Sequence, residues 1–232
     1  MNRKVGREMD ELAAACVRGA SKRCGQPFLA AALTDKPLEM LTAEEKIEII
    51  RAGKSAGIKT YRFKTGSVLP RVQTALGFLR GVGPESLLDV GSGRGAFLFP
   101  FLCAFPGVPV DSVDLLEHRV EFLDDISRGG VHELTARVQD ICSWDAEDKS
   151  YDVVTLLEVL EHIPDVEQAV RAAVRLARRY VLVTVPSKPD DNPEHIHLLT
   201  RERLTELFEG AGCRRLSFQG LAEHLFMAAR IE

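Results

Sequence analysis

Residues 87–95 read Leu-Leu-Asp-Val-Gly-Ser-Gly-Arg-Gly, an apolar run that meets an acid and then three glycines at alternate positions. The run predicts a buried parallel strand entering a tight turn, where glycine lets the backbone approach a ligand and the following helix offers free amides. Such a turn suits a nucleotide-like ligand. Gly91, Gly93 and Ala96 also satisfy the G-x-G-x-x-[GA] pattern of dinucleotide sites, so the glycines alone leave two ligand classes open. Asp89 separates them. A pyrophosphate on the turn would meet a carboxylate two residues upstream, at an energetic cost, whereas a ligand with a cationic end would be complemented by it.

A second group with chemical potential is Glu158, Glu161 and His162. Their i, i+3, i+4 spacing places all three on one face of a helical turn. With His195 or His197 from the later Pro-Glu-His-Ile-His segment, they form two carboxylates and two imidazoles, an oxygen and nitrogen set suited to Mg²⁺ or Mn²⁺. Without a metal, His162 would act as a general base or an orienting group, with Glu158 facing the same acceptor.

Two further acids stand in order behind Asp89. Val108-Pro-Val-Asp-Ser-Val-Asp114 is a short β-rich run ending in an acid about 20 residues past the glycines, the spacing of a ribose contact. A carboxylate accepts from both ribose hydroxyls, so Asp114 is the expected ribose ligand, with Asp111 as the alternative if the register differs. Leu134-Thr-Ala-Arg-Val-Gln-Asp140 is again a strand ending in an acid.

The acid-x-Gly-x-Gly-x-Gly pattern from Asp89 to Gly95 resembles the first motif of the class I S-adenosylmethionine-dependent methyltransferases, and the resemblance extends over about residues 60–232. Their methyl donor carries a sulfonium, an α-ammonium and no phosphate, which fits an acid ahead of the turn. The resemblance implies that Asp89, Gly91, Gly93 and Gly95 hold the methionine end, Asp114 and Leu115 the ribose region, and Asp140 with Ile141 the adenine. A narrower likeness, confined to Glu158–His162 and His195–Arg201, is to the small-RNA 3′-terminal ribose 2′-O-methyltransferases, which use Glu-x-x-Glu-His plus a later His to hold a divalent metal. On that likeness His195, six residues before Arg201, matches the final ligand; the Phe-Glu-Trp of those enzymes is His197-Leu-Leu here. Glu-His after the fourth strand also recurs in small-molecule enzymes such as the quinone-precursor O-methyltransferases. The chain lacks the Asn/Asp-Pro-Pro-aromatic motif of amino methyltransferases and the Pro-Cys nucleophile of cytosine C5 enzymes, so O-methylation is the expected reaction.

From residue 86 onward helical periodicity at 95–105, 117–129, 164–179 and 200–211 alternates with strands, an α/β, doubly wound, Rossmann-like pattern. Pro164 is expected to open the third of these helices and Thr200 to cap the fourth. Cys213 to Gln219 and Glu223 to Ile231 predict an antiparallel hairpin, which in the resembled family completes a seven-stranded sheet; dinucleotide dehydrogenases usually continue with parallel units. The 232 residues, 45% apolar, suffice for a full core. No apolar stretch reaches the ~18 residues of a membrane span, the Met-Asn-Arg-Lys start carries no apolar signal core, and five scattered cysteines without a C-x-x-C pair fit reduced thiols. A cytoplasmic enzyme is expected.

Residues 1–80 form a distinct, helical and basic region ahead of a catalytic domain over 81–232. They carry 15 Lys and Arg against 8 acids, and the remainder 15 against 26. Helices are expected at 8–20, 42–55 and 68–81, with Gly53, Gly57, Gly66 and Pro70 as breakers. Between Glu48 and Glu85 no acid occurs, while Arg51, Lys54, Lys59, Arg62, Lys64, Arg71 and Arg80 do, with Tyr61 and Phe63 between them. This suits either a polyanionic partner such as RNA or basic side chains solvating helices packed on an acidic domain. The sequence thus points to a methyltransferase acting on a hydroxyl of a small molecule, then to an RNA 2′-O-methyltransferase with a metal, and last to a nicotinamide-dependent oxidoreductase or other nucleotide-binding domain.

Overall fold

Runs of buried aliphatic residues build the sheet. In the computed structural model, which describes residues 7–25, 27–63, 69–189 and 191–232, β1 (Leu87–Val90) is buried throughout and pairs in parallel with β2 (Val110–Asp114) and β4 (Tyr151–Leu157). β3 (Leu134–Val138) continues one edge, and β5 (Ala177–Pro186) extends the other in parallel. β6 (Arg215–Leu221) and β7 (His224–Arg230) form the expected hairpin, and β7 inserts antiparallel between β5 and β6. The order is β3-β2-β1-β4-β5-β7-β6. Buried on both faces, β4 and β5 read as near-continuous Val, Leu and Thr, as parallel central strands must. The order reverses between β1 and β4, so the loops leaving their carboxyl ends diverge and open a crevice there.

Helices cover both faces. Ahead of the sheet lie α1 (Met9–Arg23), the short α2 (Ala31–Asp35), α3 (Ala43–Ser55) and α4 (Pro70–Val82); between strands lie α5 (Leu98–Ala104), α6 (Glu117–Arg128), α7 (Val166–Leu176) and α8 (Arg201–Gly210). α3 starts from a capping box in which Thr42 and Glu45 satisfy each other's backbone amides. α5 begins only at Leu98, not 95, because the glycine turn runs on through Phe97. The helix expected over 164–179 is shorter at both ends. Asp165, one residue past Pro164, caps it by accepting from the Gln168 amide at 2.9 Å. It stops at Leu176 because Ala177 already pairs with Tyr151 of β4, and Arg179 leaves helical register to bind the buried Asp152 at 2.9 Å and the Val82 carbonyl. Thr200 caps α8 as expected.

The N-terminal helices share a core with the sheet. α1 lies against α6 with the backbones touching: a Cβ on Gly19 would land on the Asp125 carbonyl, and one on Gly129 on that of Ala15. Much of the basic charge of residues 1–80 is used inside this assembly. Buried Arg18 donates to the carbonyls of Thr34 and Lys36. Arg23 grips Asp125 at 2.9 Å, Arg7 reaches Glu133 at 2.6 Å and Lys36 meets Glu45 at 2.7 Å. Phe63 stacks on Phe99 at 4.7 Å, while Arg62 lies 4.5 Å over Phe122. Lys64 and Gly66, like the first six residues, lie outside the described residues. Among the described residues no helix is long and apolar enough to cross a membrane, and all five cysteines are free thiols.

Candidate cofactor and acceptor site

β1 delivers Asp89 to the bottom of the crevice, 3% exposed. Its Oδ1 accepts from the Thr155 hydroxyl of β4 at 2.8 Å, while Oδ2 is buried and meets no hydrogen-bond donor among the described residues. Burial pushes its pKa up to about 7 against the opposing hydrogen bond from Thr155, and the nearby charge of Asp114 adds to the rise. A buried carboxylate oxygen without a donor is costly, and a cationic donor brought to it would relieve that cost.

The turn above it is held open by φ angles of 67°, 57° and 79° at Gly91, Gly93 and Gly95. At Gly91 the requirement is double, because a Cβ would also approach Val159 Cγ2 to 2.8 Å. The Gly93 amide points at Asp114 Oδ2 (3.3 Å), which also receives Arg119 Nη1 at 3.2 Å, and Oδ1 takes the Leu116 amide at 3.0 Å. Asp111, the alternative ribose acid, sits at the start of β2, bound by the Tyr151 hydroxyl at 2.6 Å and Arg137 at 3.3 Å. It is not in the crevice.

The crevice is a cavity of about 810 Å³ whose walls include Gly91, Gly93, Asp114, Leu115, Asp140 and Ile141 at one end and Glu158, Val159, His162 and Glu194 at the other. Asp89 and Gly95 stand behind these walls: Asp89 beneath the turn, and Gly95 packed on Phe99. Asp140 caps its own 3₁₀ turn through the Cys142 amide at 2.9 Å, which lays buried Ile141 against the cavity. Leu115 is 66% exposed at the mouth, an apolar surface a flat ring would cover.

At the acceptor end the structure corrects one expectation. Glu158, Glu161 and His162 do not share a helical face: the 3₁₀ turn spans only Leu160–His162, and Glu158 has φ 60°, which turns its side chain away. Its Oε2 lies 2.9 Å from His224 Nε2 and 3.7 Å from Arg71 Nε, and its Oε1 is buried without a partner among the described residues. Glu161, His162 and His195 do converge, with ligand atoms within 4.8 Å of one another. The four-ligand set therefore loses Glu158, and the nitrogen-rich remainder suits Mg²⁺ poorly, since that ion prefers oxygen. His197 is engaged elsewhere, its Nε2 3.0 Å from the Ile163 carbonyl and its amide on the Glu161 carbonyl. His162 Nδ1 lies 2.9 Å from the Glu194 carbonyl. A carbonyl only accepts, so Nδ1 carries a proton, and in the neutral ring Nε2 is the nitrogen with the free lone pair.

Sequence reasoning gave no site role to Arg119, Glu194 or His224, and read Arg71 only as part of the basic stretch. Glu194 adjoins His195 and Arg119 stands five residues past Asp114, yet nothing in their spacing sets them apart. His224 lies 66 positions from its partner Glu158, brought to it only by the hairpin.

A family model described as a methyltransferase domain matches residues 61–217. A ubiquinone biosynthesis O-methyltransferase of Coxiella burnetii is 24% identical over 164 residues, 60% of this chain and 68% of that protein. One of Neisseria meningitidis serogroup A is 29% identical over 121 residues. The chain spans about two thirds of the length of the former and 49% of the latter. The solved magnesium protoporphyrin IX methyltransferase of Synechocystis PCC 6803, with bound SAH (S-adenosylhomocysteine), superposes with a TM-score of 0.57 at 15% identity, covering 81% of this chain and 100% of that one. At that identity the likeness is one of fold.

Proposed function

The chain belongs to the methyltransferase-domain family, and from that premise we propose that this S-adenosylmethionine-dependent methyltransferase acts on a hydroxyl of a small-molecule acceptor. The observation that carries the reading is one continuous cavity running from Asp114 and Asp140 to Glu158 and His162. The donor fits the first end by its chemistry: Asp89 offers a buried, unpartnered oxygen, and Asp114 offers carboxylate oxygens to ribose hydroxyls. When bound, S-adenosylmethionine supplies a methyl carbon already activated by its sulfonium charge, so the protein's task is alignment and the handling of one proton. Asp89 and the Gly91–Gly95 turn hold the methionine end, Asp114 with Leu115 the ribose, and Asp140 with Ile141 the adenine. At the other end Glu158 accepts a hydrogen bond from the acceptor, and His162 Nε2 receives the hydroxyl proton.

The relatives named as O-methyltransferases support oxygen as the target. The nicotinamide alternative falls with the family match. Of the acid-free basic stretch behind the RNA reading, Arg62 and Arg71 are engaged within the fold, and the relatives' names favour a small-molecule acceptor. A second reading, in which Glu161, His162 and His195 bind Mn²⁺, is favoured by their convergence. It differs from the first in one measurement: a chelator abolishes turnover if the metal is required and leaves it unchanged if His162 acts as a base. The main test is calorimetric binding of S-adenosylhomocysteine together with methyl transfer from labelled donor to 4-nitrocatechol. Loss of turnover by about 10²-fold or more in His162→Ala with binding intact supports the assignment; full turnover in that variant refutes it.

A further inference from the structure

The hairpin turn between β6 and β7 reaches the site through a residue that no motif marks. His224 opens β7 opposite Pro186, the last residue of β5, so the turn sits at the same sheet edge from which Glu158 emerges. Its imidazole bridges two elements: Nδ1 lies 3.1 Å from the Ala222 carbonyl within the turn, and Nε2 lies 2.9 Å from Glu158 Oε2. The turn is itself pinned, since the Ser187 amide donates to the Glu223 carbonyl at 2.9 Å. Glu158 is fixed from its other side by its amide on the Thr184 carbonyl at 2.9 Å and by Arg71 at 3.7 Å. Both Glu158 and Glu223 are non-glycine residues with left-handed backbones, φ 60° and 63°. Such strain persists where surrounding contacts over-determine it, and it gathers at functional sites.

We propose that His224 is a positioning residue for methyl transfer, acting through Glu158. His224 and Arg71 both hold Oε2, leaving Oε1 as the oxygen still without a partner among the described residues. The bridge fixes the rotamer of a side chain that lines the acceptor end of the cavity, so the acceptor's hydrogen-bond donor meets a preset carboxylate. His224 is not among the residues that line that cavity.

The inference rests on the O-methyltransferase reading, and two measurements on the full chain separate their failures. In 4-nitrocatechol methylation, His224→Ala is expected to lower kcat/KM about tenfold or more with S-adenosylhomocysteine affinity within twofold, and His224→Gln, which keeps a side-chain N–H, to recover most of the loss. Unchanged kinetics in His224→Ala, or a parallel loss of S-adenosylhomocysteine affinity, overturns it. If the wild type binds S-adenosylhomocysteine yet does not methylate the probe, the hydroxyl-acceptor reading fails. His224 is then decided by NMR of histidine-labelled protein: an Nε2–H resonance of His224 that shifts in Glu158→Gln supports the bridge, and its absence overturns it.

Discussion

Asp89→Asn should stabilise the ligand-free protein while weakening its hold on the cofactor. Asp89 is buried, one of its oxygens lacks a donor, and its pKa is raised from 3.8 to about 7. A carboxylate whose folded pKa exceeds its unfolded one binds more protons when folded at intermediate pH, so stability falls as pH rises from 3.8 to about 7. Above that window the ionised group costs the fold on the order of 4 kcal/mol. Asparagine removes the charge and keeps an oxygen for the Thr155 hydroxyl, but buries an unpaired NH₂ at a cost of about 1–3 kcal/mol. The net gain is about 2 kcal/mol, or roughly 4–8 °C in Tm for a chain of this size. Scanning calorimetry should show the variant less stable by about 1–3 kcal/mol at pH 4, where only the cost of the unpaired NH₂ remains, and more stable by about 2 kcal/mol at pH 8. Calorimetric titration with S-adenosylhomocysteine should show affinity falling about 10–100-fold in the variant, because the α-ammonium loses a charged partner. Near pH 6.5 wild-type binding should release a proton as Asp89 ionises, seen as a heat that depends on the buffer. A lower Tm for the variant at pH 8, or unchanged affinity, would refute the reasoning.

Other perturbations probe different contacts. Gly19→Ala drives a methyl group into the Asp125 carbonyl of α6; it should cost about 3 kcal/mol or more, and a Tm within 2 °C of wild type would show that α1 can move off. In Gly91→Ala, the positive φ and the Val159 contact should distort the turn and reduce S-adenosylhomocysteine affinity at least about tenfold, measured by calorimetry. Arg179→Ala removes the guanidinium from Asp152, leaving its carboxylate the Glu85 amide among the described residues; denaturant unfolding should show a loss of about 1–3 kcal/mol.

The cofactor half of the crevice was legible because its determinants are local. A strand, a glycine turn and acids at strand ends lie on short consecutive segments, and backbone geometry carries each to the same sheet edge once the strands are parallel. The helix limits were less legible. Pattern gave one helix through 179, but the pairing of Ala177 with Tyr151 and the grip of Arg179 on Asp152 are long-range contacts that override local periodicity. The basic surplus of residues 1–80 was visible as charge, yet its use was not. Arg18 and Arg23 are consumed by carbonyls and acids brought close by the packing of α1 on α2 and α6.

The sequence by itself determined the sheet, the terminal hairpin and the crevice end proposed for the donor, since glycines that need positive φ and acids at strand ends are properties of single short segments. The acceptor end was decided only by tertiary structure. Helical spacing suggested that Glu158, Glu161 and His162 act together, and a single left-handed backbone at Glu158 parts them. It sends one carboxylate to His224 and Arg71 and leaves the other beside His162 and His195. Which side chains meet there depends on where the β6–β7 turn and the 187–199 loop dock, and docking is a contact between distant segments that no local spacing encodes.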